Sequence, residues 1–234
     1  FYMLAVIVNT LAIVLGSMIG LLFQAGIPKR VSDTMVQAMG LCTIIIGLQG
    51  VLEETHILLM ILALAIGTMI GSFMDWEGHV RDWSERLLAR FVGQGQAARI
   101  ANAFVTGCLI MNVGAMVIVG PLQAGLLGDY DMLYTKSMLD FVIAIMLTAV
   151  MGIGVMASAI MTLLIQGGIE IFATSLVAIL SDQMIGEISC VGSLIIVAVG
   201  INMMKLKELN VLNFVPALFV APILVALGNY LGLL

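Results

Sequence analysis

Asn112–Asp140 reads NVGAMVIVGPLQAGLLGDYDMLYTKSMLD, and the fold is decided there. A pattern of membrane-spanning character runs into a glycine-rich, still apolar connection, then restarts on Lys136, Ser137 and Asp140. Backbone that is not helical sits at membrane depth only where protein or a water-filled cavity satisfies its N–H and C=O groups. Broken helices carrying polar side chains are therefore a feature of transport sites. The stretch predicts an all-α polytopic membrane protein, some of whose helices are discontinuous.

Composition agrees. Hydrophobic residues make up 62% of the chain and charged residues 10%, against roughly 25% charged in a soluble domain. A soluble core of this length cannot hide so much apolar surface, because its own exterior must face water. The expected partner is the lipid bilayer. A net charge of −5 with no basic patch excludes nucleic acid as a partner. Cys42, Cys108 and Cys190 lie far apart inside apolar runs. Without CxxC spacing they read as buried, inert thiols, not as metal ligands or a disulfide framework. The first apolar run is long enough to span and lacks a small-residue cleavage motif, so no cleavable signal is expected.

At about 20 apolar residues per helix the chain divides into about eight spans. They are Phe1–Phe23, Thr34–Leu52, Ile57–Phe73, Ile100–Gly120, Leu133–Gly154, Ser158–Leu180, Met184–Met204 and Val211–Leu231. Between spans five and six stand only Val155, Met156 and Ala157, so one long run with a re-entrant piece is an alternative there. Every Lys and Arg except Lys136 falls between spans one and two, three and four, or seven and eight. The positive-inside rule then places both chain ends outside and those loops in the cytoplasm. Within 75–92, the residues Trp76, Val80, Trp83, Leu87 and Phe91 recur at helical spacing. Glu77 with Arg81 and Asp82 with Arg86 form i,i+4 pairs. This reads as an amphipathic helix in the cytoplasmic interface, serving as a topology anchor.

The chain reads as one transmembrane domain over 1–234 with internal repetition. Leu11–Phe23 (LAIVLGSMIGLLF) matches Leu62–Met74 (LALAIGTMIGSFM), and both contain small-xxx-small spacing. That spacing lets helix backbones approach closely, either within the chain or across a homodimer seam. A fainter match aligns Asp33-Thr34-Met35, Gly40 and Gly47 with Asp182-Gln183-Met184, Gly192 and Gly200. Spans one to three (1–74) then mirror spans six to eight (158–234), displaced by five spans. An odd displacement makes the halves insert in opposite directions, as in the inverted repeats of secondary transporters.

Ionisable groups at membrane depth cost about 2.5–3.5 kcal/mol each and therefore face protein or water. Glu170 reads as lying midway along span six, after Gln166-Gly167-Gly168, whose glycines weaken the helix. A discontinuous helix there would make Glu170 a proton or cation site with Gln166 beside it. A kinked helix whose Glu bonds a neighbouring span is the structural alternative. Asn112 lies near the middle of span four, followed by Gly114 and Gly120, and Pro121 is expected to end that helix. Asn9 and Thr10 sit at similar depth in span one. Amides at this depth tie helices together or, with Glu170 at the same level, line a polar cavity. Lys136 and Asp140 are one turn apart on one face, as an ion pair, a helix-terminus carboxylate or solute contacts. Gln37 and Glu187 are symmetric under the inverted repeat and would line the two entrances.

His56 and His79 are not placed beside a Ser or Cys in a base-and-orienter arrangement. No HExxH, Walker loop or Rossmann fingerprint occurs. No catalytic residue, metal site or cofactor is expected. The 18 methionines are scattered and read as adaptable packing.

The combination of VNTLAIVLGSMIG near the start, NVGAMVIVG followed by GLLGDYDMLYTKSMLD, and SDQMIGE before a glycine-rich span resembles the YqgA/YdfK-like family. These are bacterial inner-membrane proteins catalogued as a domain of unknown function and sometimes described as transporters. The resemblance covers essentially the whole chain, with Pro121 standing where the family pattern has a small or polar residue. It implies a bacterial inner-membrane protein and supplies no catalytic or binding residues. The expectation from the residues is a secondary transporter or facilitator of a small solute or ion, with a midplane site between spans one, four and six. The alternatives are a passive channel and a structural or regulatory membrane subunit.

Overall fold

The computed structural model describes residues 3–24, 28–52, 56–80, 82, 86, 94–112 and 115–232. No strand occurs among them. The helices are α1 Leu4–Gln24, α2 Lys29–Leu52, α3 Ile57–Phe73, α4 Gln94–Asn112, α5 Ala115–Leu127, α6 Asp131–Met151, α7 Gly154–Ile171, α8 Ala173–Val177, α9 Asp182–Met203 and α10 Ala217–Tyr230, with a 3-10 turn at Val211–Phe214. Six segments among the described residues are long and apolar enough to cross a bilayer, and α4 with α5 makes a seventh if the bent pair is one span. The 17-residue α3 is shorter.

The surface is what lipid requires. Leu58, Phe219 and Leu11 are 70%, 64% and 53% exposed, while Asn9, Gln166 and Glu187 are fully buried. Water as the only solvent would favour the opposite distribution.

Two groups of helices pack side by side. In the first, α1 lies against α6 and α7, and α7 against α4 and α5; in the second, α2 lies against α9, and α10 against α3 and α9. Glycines set the closest crossings. A Cβ on Gly16 or Gly20 would stand 2.5 Å from the carbonyl oxygen of Phe141 or Ile145 on the parallel α6. Gly40 and Gly200 meet reciprocally where α2 and α9 cross antiparallel, each facing the other's carbonyl. Gly67 and Gly71 press on Ala217 and Asn213. The small-xxx-small faces of α1 and α3 are thus occupied within the chain.

Several boundaries differ from the sequence expectation. The span expected over Ile100–Gly120 is two helices, Gln94–Asn112 and Ala115–Leu127, bent by 58° relative to each other. Pro121 does not end a helix but lies inside α5. It removes one backbone bond, and its flanks compensate: Gly120 abuts Leu133, and Leu122 packs with Ala173 and Ile185. The connection after α6 falls at Gly152–Ile153, where Gly152 takes a φ of 90°, not at Val155–Ala157. Gln166-Gly167-Gly168 does not break α7, which stays helical to Ile171 before an interruption at Phe172. Cys42 is exposed on the outer surface of α2, and only Cys190 is fully buried. Of the interfacial segment, 76–80 is helical and Asp82 meets Arg86 at 3.7 Å. Arg81, Trp83, Leu87 and Phe91 lie outside the described residues.

Candidate functional site

The site begins with α6. Gly128 (φ 67°) turns the chain out of α5, and Asp131 opens the new helix with an acid in its first turn, where the macrodipole favours it. Five and nine residues further along come Lys136 and Asp140, one turn apart on the same face. Both are buried, with side chains 7% and 3% exposed. Lys136 Nζ donates to Asp140 Oδ1 and Oδ2 at 2.9 and 2.8 Å and to the Met111 carbonyl at 2.8 Å. An ammonium has three donors, and all three are used.

The Met111 carbonyl lies in the last described turn of α4, beside the 58° bend between α4 and α5. A cation near the C-terminal end of a helix also meets the negative end of the dipole. The bent helix pair and the buried lysine meet at this carbonyl. From Asp140 the network continues inward. Asn9 Nδ2 donates to Asp140 Oδ2 and to Gln166 Oε1, both at 3.0 Å. Side chains from α1, α6 and α7 and one carbonyl from α4 are joined, with the lysine and aspartate charges cancelling. A buried pair of this kind gains its Coulomb energy only against a desolvation cost of several kcal/mol per ion, so its bonding must be complete.

Around this closed centre several polar atoms stay open. Asn9 Oδ1, Gln166 Nε2, both amide atoms of Asn112 and Glu170 Oε2 are buried and make no hydrogen bond among the described residues. Glu170 Oε1 accepts from the Met3 N–H at 2.8 Å, where the start of α1 favours a carboxylate.

The sequence-predicted residues separate into groups. Asn9 and Gln166 are bonded to each other. Lys136 and Asp140, expected as accessory, are at the centre. Glu170 is the penultimate residue of α7, one turn beyond Gln166, and not midway along a span. It does not share the level of Asn9, because a 9 Å rise along α1, about six residues, separates Asn9 from Met3. Thr10 is half-buried, and its hydroxyl donates to Val6 O at 2.9 Å in its own helix. Gly167 makes room for the Met3 side chain, whereas a Cβ on Gly168 would meet nothing within 4 Å. Gly114 lies outside the described residues. Gln37 is exposed on α2 and Glu187 fully buried on α9, so the two differ in burial. The group missed entirely is the Met111 carbonyl, a backbone acceptor that no side-chain pattern marks.

A family profile described as "Protein of unknown function (DUF554)" matches residues 4–226. The chain is 30% identical over 235 residues to "Uncharacterized membrane protein YdfK" of Bacillus subtilis (strain 168), covering 99% of each chain. It is 27% identical over 217 residues to "Uncharacterized protein YqgA" of Escherichia coli (strain K12), covering 92% of each. No solved structure matches.

Proposed function

The chain belongs to the family of proteins of unknown function described as DUF554, and within it we propose a secondary transporter or facilitator of a small solute or ion. The observation that carries this reading is the Lys136–Asp140–Asn9–Gln166 network beside a broken helix. A structural subunit would have little use for charges at this depth, because apolar residues of similar volume join helices at least as well. A transporter needs polar groups that can exchange partners, and half-helix ends are where such sites are built.

The finer architecture follows from the same reading. Eight passes, counting α3 and the bent α4–α5 pair, put both chain ends outside and the basic loops in the cytoplasm of a bacterial inner membrane. Helix directions support an inverted repeat. The pairs α2 with α9, α3 with α10 and α1 with α7 each run antiparallel, as their contacts between Gly40 and Gly200, Gly67 and Ala217, and Asn9 and Gln166 imply. The protein is not an enzyme in this reading. A homodimer would use faces other than the glycine stripes of α1 and α3.

The test is thermal stabilisation of the purified protein across a panel of metabolites and ions, repeated with Asn112→Leu and Gln166→Leu. A bound solute raises stability by about 2.7 kcal/mol at a hundredfold excess over its dissociation constant. A hit that disappears in either variant supports the reading. No hit at any pH or ionic composition moves the balance to a structural subunit.

A further inference from the structure

The two helix groups leave a space between them at the end of the molecule that carries the basic loops. It is a cavity of about 640 Å³. Its α4 wall is one helix face, made by Ala98, Ala101, Asn102, Val105, Thr106 and Leu109, whose members are related by steps of three and four residues along neighbouring rows. Facing it are Val199, Asn202 and Met203 of α9. From Ala98 to Leu109 the α4 face rises about 16 Å at 1.5 Å per residue. Three residues further on the same face comes Asn112, whose amide nitrogen and oxygen are both buried without a partner among the described residues. The adjacent Met111 carbonyl holds Lys136. The cavity thus points at the polar network and stops one turn short of it.

Charge is distributed unevenly along this path. Glu77, Lys205 and Glu208 stand at the mouth. Lys205 is paired with Asp33 at 3.0 Å, and Glu77 Oε2 accepts from the Leu212 N–H at 3.2 Å. Asn202 is a strut: its amide donates to Leu209 O and accepts from Leu209 N, both at 2.8 Å. Deeper in, the lining residues are Asn102, Thr106, Val105, Leu109, Val199 and Met203, none of them charged. The first charges beyond are Lys136 and Asp140, which neutralise each other.

We infer that this cavity is the access vestibule and outer binding site for an uncharged, hydrogen-bonding solute, received by Asn102, Thr106 and Asn112. An ion that passes Glu77, Lys205 and Glu208 loses hydration with no charged side chain among the other described lining residues to meet it. A neutral polar solute replaces water hydrogen bonds with hydroxyl and amide ones. The assignment of a substrate path rests on the transport reading, but its test does not measure transport.

The probes are three methanethiosulfonates of similar size: hydroxyethyl (neutral), sulfonatoethyl (anionic) and trimethylammonioethyl (cationic). In a full-length background with Cys42, Cys108 and Cys190 replaced by serine or alanine, single cysteines are placed as Asn102→Cys and Leu109→Cys. Rates are measured in oriented membrane vesicles and normalised to a free thiol. The neutral reagent is expected to react at Leu109→Cys within about tenfold of its rate at Asn102→Cys. Both charged reagents should fall behind it there by a further factor of about ten or more, the ratio expected of a 1.4 kcal/mol barrier difference. The two charged reagents, which do not cross lipid, are expected to react at Asn102→Cys only from the face that carries the basic loops. Thr106→Cys, close to isosteric, reads the same ratio if Leu109→Cys does not assemble. Closure of the deep position to the neutral reagent, a charge ratio below tenfold, or equal access of the charged reagents to Asn102→Cys from the opposite face would each overturn the inference. Charge discrimination without solute-dependent stabilisation would leave the vestibule standing and remove only the transport reading.

Discussion

Removing Asp140 should expose how tightly the network is balanced. In Asp140→Ala, Lys136 loses two of its three hydrogen bonds and the one countercharge it has among the described residues, keeping the Met111 carbonyl. Asn9 keeps Gln166 and loses its second acceptor. Breaking a buried pair from one side costs about 3–5 kcal/mol, because the surviving charge stays buried. At roughly 2–4 °C per kcal/mol for a chain of this size, the melting temperature in detergent should fall by about 6–20 °C. The double variant Lys136→Met with Asp140→Leu removes both charges. What remains is a bare Met111 carbonyl and one lost Asn9 bond, about 1–3 kcal/mol together. Size-exclusion detection of the folded fraction after heating reads the wild type, the single variant and the double variant. The double variant should be the more stable of the two, by about 2 kcal/mol at the midpoints of these ranges. A loss below about 1 kcal/mol in Asp140→Ala, or a double variant no better than the single one, would refute the reasoning, because the ammonium would then have another partner or water.

Two further expectations follow from packing and from topology. Gly20→Val places a Cβ 2.5 Å from the Ile145 carbonyl oxygen and 2.9 Å from Thr148 Cβ; overpacking of that kind should cost about 1–3 kcal/mol. Gly168→Ala meets open space in a helix and should be neutral or gain up to about 1 kcal/mol, both read as melting temperatures. For topology, alkaline phosphatase fused after Tyr230 should be active and green fluorescent protein there dark, while fusions after Lys207 should behave oppositely. The same signal at both positions would break the alternating pass count.

Membrane character, helical architecture and most helix cores were legible because lipid imposes a simple rule on composition: every span must be long, apolar and internally hydrogen-bonded. The pairing of Lys136 with Asp140 was legible for an equally local reason, since four residues of helix put both on one face. Boundaries were harder. Pro121 and Gly167-Gly168 carry the strongest local signals for a broken helix, yet both lie within helices. The neighbours decide: packing of Gly120 and Leu122 holds α5 together across the proline, and the glycine at 167 is filled by Met3 from another helix. Local propensity differs by about 1–3 kcal/mol at such residues, which a few tertiary contacts exceed.

What no local pattern carried was depth. Glu170 was placed mid-span by counting from Ser158, but α7 begins at Gly154 and α1 delivers Met3 to its far end. The helix expected over Ser158–Leu180 runs from Gly154 to Ile171, so its midpoint shifts by about six residues, roughly 9 Å along the axis, from one polar level to the next. That displacement separates two roles. Asn9 and Gln166 meet beside a neutral ion pair, where polar groups can change partners. Glu170 instead sits at the first turn of α1, where the helix dipole favours a fixed carboxylate. The carboxylate most conspicuous in the sequence is therefore a tie between α7 and α1. Lys136, expected as an accessory group, ties α6 to the last described turn of α4, because its ammonium needs three acceptors and the Met111 carbonyl supplies the one its own helix lacks.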